Sequence, residues 1–190
     1  MNCLTKSFAT LAALIGLSAA SLAEESLPRL RASDNGRWLV TADGAPVFLL
    51  CDTAWSLALR VNREDAVMYL RKRREQGFNA VTFVLFAPGG NELVNSLANF
   101  YGHAPFKMMN GHPDPSQPDV RPGAGDDFWD HADWLVALTK RLGLYAIVLP
   151  TWGSGIAGGY DGKPDAGQVF DEANARAYGR WLGARYKDEP

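Results

Sequence analysis

Three times the chain runs an apolar stretch into polar or aromatic residues and then into an amphipathic segment, and this pattern constrains the fold most. The stretches are residues 47–51 leading into Asp52-Thr53-Ala54-Trp55, residues 80–86, and residues 145–149 leading into Pro150-Thr151-Trp152. Strands so continuously apolar are expected to be buried on both faces, as in a parallel sheet wrapped by helices. Repeated β/α units carry ligand chemistry at the strand C-termini, so Asp52, Trp55 and Trp152 become the first candidate site residues. A complete (β/α)8 barrel takes about 250 residues. A chain of 190 residues is therefore expected to be α/β, the N-terminal portion of a TIM barrel with about three β/α units.

The intervening segments read as helices with a core face and a wet face. Asn62 is an N-cap with Asp65 three residues on, Val67 and Leu70 supply the apolar stripe, and Gly77 stops the helix. The basic run Arg71-Lys72-Arg73-Arg74 reads as a solvated outer face rather than an anion site. A second helix opens at Asp126-Asp127 and ends at Gly143. A third starts near Asp171, with Tyr178, Trp181, Leu182 and Tyr186 on one side. The helix-to-strand returns, Gly77-Phe78-Asn79 and Gly143-Leu144, are short. The strand-to-helix connections, residues 87–125 and 153–169, are long and rich in glycine, which is the asymmetry of a barrel with its active face at the strand C-termini. Tyr101 and His103 lie in the longer one and are expected to line the cleft.

Three segments are expected. Residues 1–23 read as a signal peptide, with Lys6 as the positive start, an apolar stretch over residues 8–20 that is too short to span a bilayer, and Ser21-Leu22-Ala23 as the cleavage site. A secreted or periplasmic protein follows, with no membrane contact after cleavage. Residues 24–46 form a β-hairpin lead-in around Asp43-Gly44, suited to closing the bottom of a barrel. Residues 47–190 are expected to form the partial (β/α)8 domain. The net charge of −2 gives no electrostatic case for nucleic acid or an anionic membrane. Cys3 departs with the signal and Cys51 sits inside a strand, so no internal disulfide is expected. The histidines His103, His112 and His131 lack metal-ligand spacing, and neither a metal nor a cofactor is expected.

A strand-end carboxylate accepts sugar hydroxyls in charge-assisted hydrogen bonds, and an indole offers the flat apolar face that sugar C–H groups pack against. Asp52, Trp55 and Trp152 fit an oligo- or polysaccharide partner on those grounds. Asp52 as a cap and the two tryptophans as core are the structural alternatives. Asn79, at the start of a strand, reads as structural. Glycoside hydrolysis generally takes two carboxyl groups flanking the scissile bond. Only Asp52 sits convincingly at a strand C-terminus, since Asp161, Asp165, Asp171 and Glu172 fall in a loop and a helix start. No Walker loop or strand-then-GxGxxG motif supports nucleotide binding, and Gly153-Ser154-Gly155 is not a nucleophile elbow.

The ordered set Asn35-Gly36-Arg37-Trp38-Leu39-Val40, Leu50-Cys51-Asp52-Thr53-Ala54-Trp55, Gly77-Phe78-Asn79, Leu149-Pro150-Thr151-Trp152-Gly153 and Asn174-Ala175-Arg176-Ala177-Tyr178-Gly179, continuing to Arg185-Tyr186-Lys187-Asp188, resembles the apiosidase-like glycoside hydrolases. These are secreted (β/α)8-barrel enzymes. The resemblance implies activity on plant cell-wall polysaccharide, with apiosyl linkages of pectic side chains as substrate. It implies that Asp52 and Trp55 help form the sugar subsite, with Trp152 beside them. It also implies catalytic carboxyls beyond Pro190, an Asp after the fourth strand and a Glu on a later one, so that this chain alone is inactive. Cys51 stands where relatives commonly have glycine. Two rivals remain: a secreted carbohydrate-binding protein of the same fold without the acid pair, and a doubly wound α/β transferase, which requires a switch-point crevice.

Overall fold

The computed structural model describes residues 27–88, 97–123, 125–157 and 169–190. The expected signal peptide lies outside them, as do Asp161 and Asp165. Among the described residues no helix is long and apolar enough to cross a membrane.

The lead-in is a three-stranded antiparallel sheet rather than a single hairpin, built from β1 (Leu30–Ala32), β2 (Leu39–Thr41) and β3 (Pro46–Val47). The Asp43-Gly44 turn lies where the sequence places it, with Gly44 in the left-handed region at φ 92°. The added hairpin turns through Asn35-Gly36, where the Ser33 amide donates to the Trp38 carbonyl. This small sheet sits at the N-terminal end of the main strands, because the Tyr145 hydroxyl donates to the Pro28 carbonyl at 2.8 Å.

The main sheet holds β4 (Cys51–Thr53), β5 (Ala80–Val84) and β8 (Tyr145–Leu149), parallel and ordered β4-β5-β8. Strand order follows chain order, so no reversal of the kind that makes a switch-point crevice occurs among the described residues. Central β5 fulfils the expectation of burial, with Val81, Phe83 and Val84 fully inside. The first apolar stretch does not. Val47 pairs antiparallel with Leu39, Cys51 pairs parallel with Ala80, and residues 48–50 carry the chain from one sheet to the other. Phe48 and Leu50 are exposed there. Asn79 fixes the crossing: its side chain donates to the Phe48 carbonyl and accepts from the Leu50 amide, both at 2.7 Å. On the other edge strand, Ile147 is also exposed.

The helices begin where the caps are. α2 (Arg63–Glu75) starts at Asn62, whose side chain accepts from the Asp65 amide, and its chain leaves through Gly77 at φ 91°. α3 (Phe128–Arg141) and α5 (Glu172–Tyr186) each open on a capping box, Asp127 with Asp130 and Asp171 with Asn174. Asp133 on α3 accepts Arg185 through two bonds of 2.8 and 2.6 Å and the Tyr186 hydroxyl at 2.8 Å, which fastens α5 to α3. Two short helices, α1 (Leu57–Arg60) and α4 (Ser154–Ala157), follow β4 and β8.

The long connection after β5 is not structureless. It contains a hairpin of β6 (Phe106–Met109) and β7 (His112–Pro118), turned by Asn110-Gly111 with φ values of 51° and 81°. A two-residue Asn-Gly turn with both residues left-handed matches the twist of the flanking strands. Phe106 anchors the hairpin in an aromatic core, with ring centroids 4.9 Å from Phe86 and 5.0 Å from Tyr178.

Candidate functional site

Backbone pairing continues past the ends of the strands and sets the two indoles side by side. After β4, the Ala54 amide donates to the Thr82 carbonyl and the Trp55 carbonyl accepts from Val84, holding Trp55 beside the end of β5. After β8, the Leu149 carbonyl accepts from Leu85 and the Trp152 amide donates to the Phe86 carbonyl, holding Trp152 on the other flank. The two rings meet across β5 with centroids 4.9 Å apart at 63°. This edge-to-face arrangement leaves Trp55 42% exposed, while Trp152 is half-buried against the core.

A groove of about 750 Å³ opens along Trp55, walled by Leu57, Val61, Met68 and Tyr69, with Arg60 and Asp65 among its polar lining. Asp52 is not brought to the indole pair. Its carboxylate turns towards α2, where Oδ2 accepts the Tyr69 hydroxyl and, at 2.7 Å, the Arg73 Nε. Alternation along a strand sends Asp52 to the face opposite Cys51 and Thr53, so a carboxylate at this register meets the helix layer. Its connection to the groove is indirect, through the Tyr69 ring that it tethers. Burial, and then the bond to Asp52, pushes the Tyr69 hydroxyl above its usual range. Arg73 lies over the Tyr69 ring at 4.6 Å, so this member of the basic run is not on the solvated face. Cys51 is half-buried, and burial first, then Asp52, raises its thiol.

Tyr101 and His103 belong to a different neighbourhood. The Tyr101 hydroxyl accepts the Arg63 amide at 2.8 Å, at the first turn of α2, and its ring stands edge-on to His131 of α3 at 5.3 Å. His103 Nδ1 is buried with no hydrogen-bond partner, and the His103 amide donates to the Asn99 side chain at 3.0 Å. His131 and Arg63 were not visible as members of such a group in the sequence. The available signal was His131 at helical spacing from Leu135 and Leu138 on the buried stripe of α3.

Several of the acids near this end of the sheet are engaged. Asp126 pairs with Arg63 at 2.8 Å, Asp127 and Asp171 cap helices, and Asp65 accepts from Asn62. The arrangement offers an aromatic platform and an amphipathic groove, suited to holding a flat polar ligand with apolar faces.

A parallel β/α sheet with an aromatic pair at its strand C-termini is an α/β arrangement of the kind that carries ligand chemistry at that face. Residues 33–190 match the family described as apiosidase-like, catalytic domain, and the chain belongs to that family. Among solved structures it is similar to a glycoside hydrolase family 5 protein from Bacteroides vulgatus ATCC 8482, at 28% identity and a TM-score of 0.68 over 85% of this chain and 30% of that one. It is equally similar to a structure described as a glycoside hydrolase, at 28% identity and a TM-score of 0.67 over 86% of this chain and 32% of the other. A putative glycoside hydrolase from Bacteroides vulgatus ATCC 8482 shares the fold at 19% identity and a TM-score of 0.58, covering 84% of this chain and 30% of that one. The chain thus spans about a third of the length of these solved structures. No curated protein matches the sequence significantly.

Proposed function

We propose that the chain is the N-terminal portion of a secreted (β/α)8-barrel glycoside hydrolase acting on plant cell-wall polysaccharide, with apiosyl linkages of pectic side chains as its substrate. The observation that carries this reading is the Trp55–Trp152 pair at the strand C-terminal face of a chain of the apiosidase-like family. A partly exposed indole beside an amphipathic groove supplies what a sugar ring needs, an apolar plane for its C–H face and polar groups for its hydroxyls. Tyr69, tethered by Asp52, forms one wall. The acid pair that cleaves the bond is supplied by further polypeptide, while Trp55, Trp152 and the groove bind and orient the sugar. The test is hydrolysis of apiose-bearing pectic oligosaccharides by the product of the longer gene, beside residues 24–190 alone. Sugar release by the longer protein and none by the shorter supports the reading, and hydrolysis by residues 24–190 overturns the division of labour.

The engagement of Asp52, Asp126, Asp127 and Asp171 favours a second reading, a carbohydrate-binding protein of the same fold without catalysis. It predicts that the longer protein binds the same oligosaccharides and leaves them intact.

A further inference from the structure

Helices α2 and α3 both begin at the strand C-terminal face, and the turn over residues 97–103 lies across their first turns. It is held on α2 by the bond from the Arg63 amide to the Tyr101 hydroxyl, 2.8 Å. Against α3 it is held by the Tyr101 ring, which stands at 75° to the imidazole of His131 with centroids 5.3 Å apart. His131 is 1% exposed, lies parallel to the Trp134 ring at 13°, and has no hydrogen-bond partner at either ring nitrogen. A neutral imidazole tolerates such an apolar slot, whereas an imidazolium there would have two donors and nothing to receive them.

The charged surroundings point the same way. From α2, the Arg63 guanidinium sits 5.3 Å from the Trp134 ring and 5.9 Å from the Tyr101 ring. From the turn come His103 and the Tyr101 hydroxyl. Ahead of α3 lies Asp126, the carboxylate that could compensate, already paired with Arg63 at 2.8 Å. A proton arriving on His131 therefore adds positive charge beside Arg63 and His103, with one committed carboxylate in reach.

We propose that His131 is an acid-operated release for the turn over residues 97–103, so that the imidazolium, once formed, expels Tyr101 from the first turns of α2 and α3. The rim of the strand C-terminal face then opens. Burial first, and then Arg63, pushes His131 down from its usual 6.5 to about 4. The open form takes up the proton more readily than the closed one, so the closed turn is fully favoured above the usual histidine value. Its advantage then falls as pH drops towards the depressed value, by at most about tenfold per pH unit.

The test uses the whole chain and does not depend on the sugar reading. Amide hydrogen exchange, expressed as protection factors to remove the intrinsic pH effect, is followed for residues 97–103 from neutral pH to about pH 4. Protection of this turn is expected to drop steeply with acid while that of α5 holds, and His131→Phe, which keeps a ring in the slot and cannot take a proton, should abolish the drop. An unchanged turn in the wild-type chain overturns the proposal, as does an equal drop in the variant. If His131→Phe does not fold, the wild-type imidazole resonances decide. Titration of His131 in step with the exchange supports the release, and titration near the ordinary histidine value overturns it.

Discussion

Trp152 stands edge-on to Trp55 across the end of β5, with ring centroids 4.9 Å apart, although the two lie 97 positions apart in the chain. Their burial differs, and so should the consequences of removing them. Trp55→Ala deletes a ring that is 42% exposed and should weaken oligosaccharide binding about 3- to 10-fold, the value of one aromatic contact, with little change in stability. Trp152→Ala should cost both binding and stability, by less than the roughly 3–5 kcal/mol of a fully buried tryptophan. Fluorescence titration with pectic oligosaccharides, alongside urea denaturation, separates the two effects.

Asp52 and Tyr69 provide a second test. If the carboxylate serves the groove by tethering Tyr69, Tyr69→Phe should lower stability by about 1 kcal/mol, the net value of a hydrogen bond whose acceptor retains another donor. Oligosaccharide affinity should then fall modestly in Tyr69→Phe and Asp52→Asn alike. If Asp52 met the sugar directly, Asp52→Asn would lose affinity while Tyr69→Phe kept it. Denaturation midpoints and binding isotherms of the two variants distinguish these cases.

The helices were legible because their signals are local. Asn62, Asp127 and Asp171 cap where the sequence places them, and Gly77 and Gly143 follow as left-handed exits. The central strand was legible because burial on both faces leaves no polar alternation. What depended on partners was not. The stretch over residues 47–51 reads as one strand, yet it divides between two sheets because Asn79 binds the backbone between them. The hairpin at Asn110-Gly111 carries a strong local signal, but Pro113, Pro115 and Pro118 obscure its second strand; proline is tolerated at edges. In the candidate site, the indoles were legible from their place after strands. The direction of the Asp52 carboxylate was not, because a one-residue change of register would reverse it.

Alkaline pH should unfold the chain cooperatively. The hydroxyls of Tyr69, Tyr145, Tyr178 and Tyr186 are all pushed upward, with burial as the first cause in each. Their bonds run to Asp52, Pro28, Pro150 and Asp133. A raised folded value means that the unfolded chain loses these protons first. The stabilisation is therefore complete below about pH 10 and declines as pH rises beyond it. Tyrosinate absorbance should lag behind that of free tyrosine and then rise together with the loss of circular dichroism. A gradual rise with the fold intact would contradict this.

Gly155 sets the exit from β8, and alanine there should disturb the indole pair from a distance. Its amide donates to the Trp152 carbonyl, and its own carbonyl accepts from Val169 and Phe170, so one residue joins the strand end to the approach to α5. A Cβ at this position would lie 2.8 Å from Thr151 Oγ1, 3.1 Å from Pro88 Cγ and 3.3 Å from Phe170 Cδ2. The threonine hydroxyl can rotate away, whereas a proline ring and a phenylalanine packed in the core yield little. Gly155→Ala should thus cost about 1–3 kcal/mol, the usual penalty of overpacking, and shift tryptophan emission as Trp152 moves against Trp55. Gly153→Ala, two residues away, meets nothing within 4 Å and should stay within about 0.5 kcal/mol of the parent. Urea denaturation and emission spectra of the pair would check this, and equal behaviour of the two variants would show that the strand exit is looser than these contacts require.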